Sequence, residues 1–252
     1  TVHDVLFMDY PSNFPWTYKV LNRFLFKISA SRSDLLLTVS DYSRKRISHH
    51  FGIDSSDIYI TPNAVDNIVK FAPEPVTGLV GDDYLLYVSR IEPRKNQHRL
   101  AEAFLKANVP RNMKLVFVGA KSLPYAELEP YMNKENIIHL AGVSSGNIAW
   151  LYKNAVASIY PSLCEGFGIP PLEASILGCP SYCANNTALS ELRPFLNGMF
   201  DGEKVEDIVE VIHDSMQAGH SSVDKDSIND KFMWENIAAD YRDVLFKRLD
   251  TI

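Results

Sequence analysis

Cysteine is scarce in this chain, and long apolar runs are missing. The three cysteines, Cys164, Cys179 and Cys183, are too few and too clustered to frame a disulfide scaffold. Cys179 and Cys183 are not spaced as a zinc knuckle, and no His pair stands at ligand spacing. Reduced thiols in a cytoplasmic protein, and no metal site, are therefore expected. The longest apolar run, near Leu35–Val39, suits a buried strand and falls far short of a membrane span. Positive charge is not in excess either: 25 Lys and Arg face 31 Asp and Glu, a net charge of −6, which argues against a nucleic-acid partner. The one Asp-x-Asp, Asp224–Asp226, lies in a polar stretch before the last helix, where no metal is expected. No signal peptide is visible. The chain opens at Thr1 in mid-pattern, as expected of a truncated or short form.

What is present is enough for a folded core: 252 residues, 46% of them hydrophobic, suffice for one large domain or two small ones. Charge is unevenly placed. Residues 17–50 carry seven Lys or Arg against Asp34 and Asp41, while the rest of the chain is acidic. A solvated face and a surface that meets anionic lipid both fit that segment.

Strand and helix signals alternate almost to the end. Val2–Met8 and Leu35–Ser40 read as buried strands around a helix over Tyr18–Ala30, with Val20, Leu21, Phe24, Leu25 and Ile28 on one face. Ser40 reads as the N-cap of a helix over Tyr42–His50. Tyr59–Asn67 and the Pro-, Gly- and acid-rich Pro73–Asp83 read as connection between domains. A second series follows, with strands at Tyr84–Ser89, Lys114–Gly119, Ile137–Ala141, Val156–Pro161 and Pro180–Ala184. Helices are predicted over Asn96–Ala107, Gly146–Asn154, Pro171–Leu177 and Val205–Ala218, with a closing helix from Trp234. Strands joined by helical crossovers imply an α/β fold, a Rossmann-like doubly wound parallel sheet. Ligands of such sheets bind beyond the carboxyl ends of the strands.

Two clusters fall at those ends. Val88–Asn96 places Arg90 and Lys95 around a Pro93 turn, a planar fork and a mobile ammonium suited to adjacent phosphates; a basic loop tip pairing with Glu92 is the alternative. Ser162–Ala174 holds Glu165, Gly166, Phe167, Gly168 and Glu173 around Pro170–Pro171. Glycines flanking Phe167 would let peptide N–H groups approach a ligand. A carboxylate such as Glu173 can accept from neighbouring hydroxyls like those of a ribose; the plainer role is a helix-dipole acid.

The run Glu165-Gly-Phe-Gly-Ile-Pro-Pro-Leu-Glu173 resembles the signature of retaining glycosyltransferases of family 4, the GT-B glycosyl transferases group 1. Val88–Asn96 is similar to that family's phosphate-binding strand and turn. Thr38–Arg44, Pro62–Asp66, Gly178–Pro180, Trp234 and the opening Thr1-Val-His-Asp4 add to the resemblance, which covers essentially the whole chain. Ser89 and Ala64 stand where the family often has glycine.

The resemblance implies a division of the chain. Residues 1–67 would be a remnant of the N-terminal acceptor domain, and 68–82 a linker. Residues 83–232 would form the C-terminal nucleotide-sugar domain, and 233–252 a closing helix returning to the N-terminal part. It also implies roles. Arg90 and Lys95 would hold the donor diphosphate. Glu165, Gly166, Phe167 and Gly168 would contact the donor sugar, Glu173 the ribose, and the backbone of Gly142, Val143 and Ser144 the base. His3 and Glu165 would be the catalytic pair. The implied reaction is transfer of a hexose from a nucleotide diphosphate sugar, with a uridine carrier expected, to a glycan or lipid-linked acceptor in polysaccharide biosynthesis. It would retain configuration and need neither metal nor cofactor. The expected place is the cytoplasm, with peripheral membrane contact through 17–50. Two other readings compete: a non-catalytic nucleotide-sugar-binding module, and a GT-B epimerase, against which the two-glutamate turn followed by Pro180 argues.

Overall fold

A computed structural model of the protein describes residues 1–11, 14–219 and 221–250. Most of it is one six-stranded parallel sheet in the order β5-β4-β3-β6-β7-β8. The strands are β3 (Tyr84–Val88), β4 (Lys114–Val118), β5 (Ile137–Leu140), β6 (Ala157–Tyr160), β7 (Ser181–Ala184) and β8 (Gly198–Phe200). Both faces are buried, as parallel sheets require. Leu85, Tyr87, Leu115 and Phe117 point to one core, and Tyr84, Leu86, Val116 and Val118 to the other. The first core is closed by α4 (Gln97–Lys106) through Leu100 and Phe104, and by α7 (Val205–Gln217) through Ile208 and Ile212. The second is closed by α5 (Ser145–Asn154) through Leu151 and Tyr152. Strand order runs outward in opposite directions from the β3–β6 pair. That is the switch point at which a doubly wound sheet opens a crevice.

The N-terminal part is smaller. Two short parallel strands, β1 (Leu36–Thr38) and β2 (Ile58–Ile60), pair in register. α1 (Leu6–Asp9), α2 (Trp16–Arg32) and α3 (Asp41–Phe51) accompany them. Ser40 caps α3 as predicted, its hydroxyl accepting from the Ser43 amide at 3.0 Å. Val2–Met8 is not the predicted strand. Its start runs extended beside β1, with the Val2 amide donating to the Leu37 carbonyl at 2.8 Å, but from Leu6 it turns into α1. Asp4 causes the turn: its carboxylate accepts from the Leu6 amide at 3.1 Å, which draws the chain out of the extended form.

The helix predicted over Tyr18–Ala30 is present as α2, but its apolar stripe faces outward. Val20, Leu21, Phe24 and Leu25 are exposed, and the small core of Val2, Val5, Phe7, Leu36 and Ile47 takes up Ala30 and Phe26 instead. Periodicity decides which residues share a face, not which face meets a core. Three further elements, β2, β8 and α8 (Lys225–Phe232), were not read from the sequence; β2 pairs with β1 and takes up the start of Tyr59–Asn67, which the sequence assigned to connection. Asp224, of the Asp-x-Asp, serves as the N-cap of α8, accepting from the Asp226 amide at 3.0 Å. Within 68–82, Ile68 and Leu79 are buried in the two large cores, so the connection lies packed along the sheet domain. The closing helix, α9 (Trp234–Leu249), returns to the N-terminal part: Trp234, Ile237 and Tyr241 line an apolar pocket with His3, Leu37 and Val39. Residues 251 and 252, the end of the predicted closing segment, lie outside the described residues.

Candidate functional site

β3 and β6 are the two central strands, and both sequence clusters leave their carboxyl ends. The chain after β3 runs through Ser89 and Arg90 into a tight turn at Pro93–Lys95. The turn is pinned from behind. The Tyr87 hydroxyl donates to the Lys95 carbonyl at 2.7 Å. Asn96, in the left-handed region at φ 62°, donates its side-chain amide to the carbonyls of Pro161 at 3.0 Å and Gly202 at 2.7 Å. The loops after β3 and β6 are thereby tied together, and a cleft opens between them. It is lined by Ser89, Arg90 and Lys95 on one side, Glu165–Pro170 on the other, and His3, Asp4 and Asn63 from the N-terminal part.

At the floor, Glu165 gathers donors. Its Oε1 accepts from Lys95 Nζ at 2.5 Å, Ser162 Oγ at 2.6 Å and the Tyr160 hydroxyl at 3.0 Å, while Oε2 accepts from Arg94 at 3.1 Å. Arg94 also bonds the Cys164 carbonyl at 2.8 Å and Glu92 at 2.5 Å. Burial alone would push the Glu165 carboxyl up, but the charges of Lys95 and Arg94 hold it below the usual glutamate range, so it is an anion. Lys95 is thus a buried, paired cation, not a free one at a loop tip. The alternative of a basic tip pairing with Glu92 holds for Arg94 alone. Arg94, Tyr160, Ser162 and Asn96 were missed: Arg94 reads as a loop charge, and nothing in spacing brings Tyr160 under Lys95.

Arg90 is exposed on the cleft wall, and its guanidinium makes no hydrogen bond or ion pair among the described residues. The glycine turn leaves donors open as well. The amides of Phe167, Gly168 and Ile169 bond to nothing among the described residues. No side chain would fit at Gly166, where an added Cβ would lie 2.7 Å from Asp4 Cβ. At Gly168, φ is 157° and a Cβ would lie 2.5 Å from Leu192 Cδ1. The Gly166 carbonyl is held from the N-terminal part by the hydroxyls of Ser40 at 2.7 Å and Ser43 at 3.2 Å. Asp4, quoted in the opening Thr1–Asp4 segment but given no role from the sequence, is a mostly buried carboxyl against Gly166. Burial raises its pKa, and the nearby Glu165 charge adds to the rise.

Glu173 sits one turn into α6 (Ile169–Ile176). Its carboxylate has no hydrogen-bond or ion-pair partner among the described residues, and burial pushes it up to about 7. The helix-dipole role does not account for a carboxyl so raised. His3 stands exposed where the cleft meets the apolar pocket beneath α9. Gly142, Val143 and Ser144 are not among the residues lining the cleft. Ser144 caps α5, accepting from Asn147 at 3.0 Å, and donates to Glu74 at 2.7 Å; Gly142 has φ 70°. The three cysteines are free and buried. Burial pushes the Cys164 and Cys179 thiols up to about 12, which leaves them unreactive. No group of metal-ligating side chains occurs among the described residues, and none of their helices is long and apolar enough to cross a membrane.

Comparison with known proteins identifies the family. The sequence model described as Glycosyl transferases group 1 matches residues 74–219, and that of Glycosyltransferase Family 4 matches 1–67. The O-antigen chain mannosyltransferase B of Escherichia coli is 32% identical over 208 residues, covering 76% of this chain and 54% of the relative. The O-antigen chain mannosyltransferase RfbU of Salmonella typhimurium is 33% identical over 187 residues, covering 71% and 50%. The chain thus spans about half the length of these curated relatives. Among solved structures, HepE of Anabaena in complex with UDP-glucose superposes with a TM-score of 0.75 at 20% identity, covering 97% of this chain and 71% of that one. An α/β sheet wound from β3 and β6, a glycine turn beside paired cations and the match over 74–219 point the same way: the chain belongs to the group 1 glycosyl transferases.

Proposed function

We propose that the chain binds a nucleotide diphosphate sugar in the β3–β6 cleft and takes part in retaining hexosyl transfer to a glycan or lipid-linked acceptor. The observation that carries this reading is a set of unpartnered polar groups at the cleft and in the helix that starts from its wall. Arg90 offers a free guanidinium and Phe167, Gly168 and Ile169 offer free amides to the cleft, while Glu173, one turn into α6 and not among the cleft-lining residues, offers a raised carboxylate. Arg90 and Lys95 supply the cations for a departing diphosphate, so a metal is not needed in this scheme. The amides of Phe167 and Gly168 face the sugar, Glu173 the ribose hydroxyls, and the backbone of 142–144 the base. His3 lies on the acceptor side of the reacting carbon. Glu165, held by four donors, is assigned to placing Lys95 and the glycine turn rather than to attack on the sugar.

Mannose is the proposed sugar, because several relatives are named as mannosyltransferases. The uridine carrier implied by the family resemblance is also the one in the HepE complex. Calorimetry with UDP- and GDP-linked hexoses tests the reading, in buffer with and without EDTA. Binding of one donor that EDTA leaves unchanged supports it; a folded protein that binds none of them overturns it. Binding without any release of free sugar or transfer would favour a non-catalytic binding module.

A further inference from the structure

The free guanidinium of Arg90 hangs from a backbone that is held on two sides. One side is the continuation of β4: the Ser89 amide donates to the Val118 carbonyl and the Ile91 amide to the Ala120 carbonyl, each at 2.9 Å. The approach there is close enough that a Cβ added at Gly119 would run into the Ser89 carbonyl oxygen. On the other side the Arg90 carbonyl is taken by side chains, Ser89 Oγ at 2.9 Å and Gln97 Nε2 at 2.8 Å. Gln97 Nε2 also donates to Ser89 Oγ at 3.1 Å, so the three groups bond in a closed triangle.

Gln97 is unusual in its place. It is the first residue of α4 and has 0% exposure, whereas glutamine is mostly a surface residue. Its Oε1 has no hydrogen-bond partner among the described residues, and a buried oxygen left so is disfavoured. The carboxamide cannot turn over to relieve it, because Oε1 would then face the Arg90 carbonyl oxygen, acceptor against acceptor. A methionine, unbranched and of similar length, would fill the same space without the unmet oxygen. What glutamine offers over it is the donor to Arg90 and Ser89.

That donor acts where no other side chain can. Lys95 is placed by Glu165 and Tyr160, but the Arg90 guanidinium has no partner among the described residues, so its reach is set by the backbone that carries it. We infer that Gln97 is a positioning residue for donor binding: with Ser89 it clamps the Arg90 carbonyl and aims the Arg90 guanidinium into the β3–β6 cleft. The inference rests on the reading above, that Arg90 meets the donor diphosphate. Gln97 is not among the residues lining the cleft, and it works through Arg90 alone.

The test is a double-mutant cycle read by calorimetry, with UDP and GDP as probes. Gln97→Met is expected to weaken binding of the nucleotide that wild type takes up by about tenfold. In an Arg90→Ala background the same change is expected to cost less than about twofold, because nothing is left for Gln97 to aim. Circular dichroism shows whether the variant folds. Ser89→Ala, at a half-buried position, carries a second cycle, in which a smaller loss should also vanish without Arg90. Losses that add in full to that of Arg90→Ala would give Gln97 a structural role independent of Arg90 and overturn the inference. So would unchanged affinity in Gln97→Met and Ser89→Ala while Arg90→Ala binds weakly; in both cases the reading of the cleft stands. No binding by wild type, or Arg90→Ala equal to it, overturns that reading and this inference together.

Discussion

Lys95 Nζ lies 2.5 Å from Glu165 Oε1 at the floor of the cleft, and the two residues come from loops after different strands. The pair is buried, with Tyr160 bonded to both partners. Removing one member of a buried pair leaves the other uncompensated, at about 3–5 kcal/mol. Lys95→Ala is therefore expected to lower unfolding free energy by about that much in urea titration, beyond any loss of ligand binding. A variant as stable as wild type would mean the pair is loose in solution.

Arg90 makes the contrasting case. Its side chain is exposed and unpartnered, so Arg90→Ala should change stability by less than about 0.5 kcal/mol. Nucleotide affinity should fall by about 1.5–3 kcal/mol, the worth of a charged hydrogen bond, in calorimetry. Equal affinity would place the diphosphate elsewhere.

Glu173 gives the fold a pH signature. Burial pushes its carboxyl up to about 7, from the 4.5 of a free glutamate. Below pH 4.5 the group is neutral in both states and the shift has no effect. Between 4.5 and 7 the unfolded chain ionises first, which favours unfolding, and above 7 the penalty is constant. Glu173→Gln should thus match wild type in acid and be more stable by on the order of 1–3 kcal/mol at pH 8. Stability curves at several pH values check this; a gap that does not grow with pH would contradict it.

The same carboxyl predicts a proton count. Hydroxyl donors favour the charged form, so a ribose bound to Glu173 should drive off a proton near pH 6.5. Calorimetry in buffers of different ionisation enthalpy would show the release in wild type and its loss in Glu173→Gln.

Ser40→Ala removes the N-cap of α3 and one of two hydroxyls on the Gly166 carbonyl. A cap alone is worth about 1–2 kcal/mol, and a loss at least that large is expected in denaturant titration. A loss well under it would show that Ser43 suffices.

Much of this was legible in the sequence, for local reasons. The strands β3, β4, β6 and β7 are short apolar runs closed by Gly, Pro or polar residues, and the helices α4 and α7 carry buried rows at 3.6-residue spacing, so period and boundary fell together. β8 was missed because Gly198–Phe200 is too short to show a period, and α8 because Lys225–Phe232 has only Ile228 and Phe232 as buried anchors. At the site, the glycine turn could be located because its residues are contiguous. The state of Lys95 could not. It depends on Glu165 and Tyr160, which lie 70 and 65 positions away, whereas the sequence suggests a mobile cation on a loop. The α2 stripe shows the same limit in reverse: its residues were grouped correctly on one face, yet their side of the molecule was set by α1 and the strand beside it.

Glu191 has a bearing on where anions can settle. Its two carboxylate oxygens accept from the amides of Asp41 at 3.1 Å and Tyr42 at 2.6 Å. The positive end of α3 is thereby plugged from within, while α6 begins at Gly168 without any side-chain cap. Of these two helix ends only that of α6 keeps its amides open, so the positive pole beside the cleft lies on the Gly168 side and not on the Ser40 side.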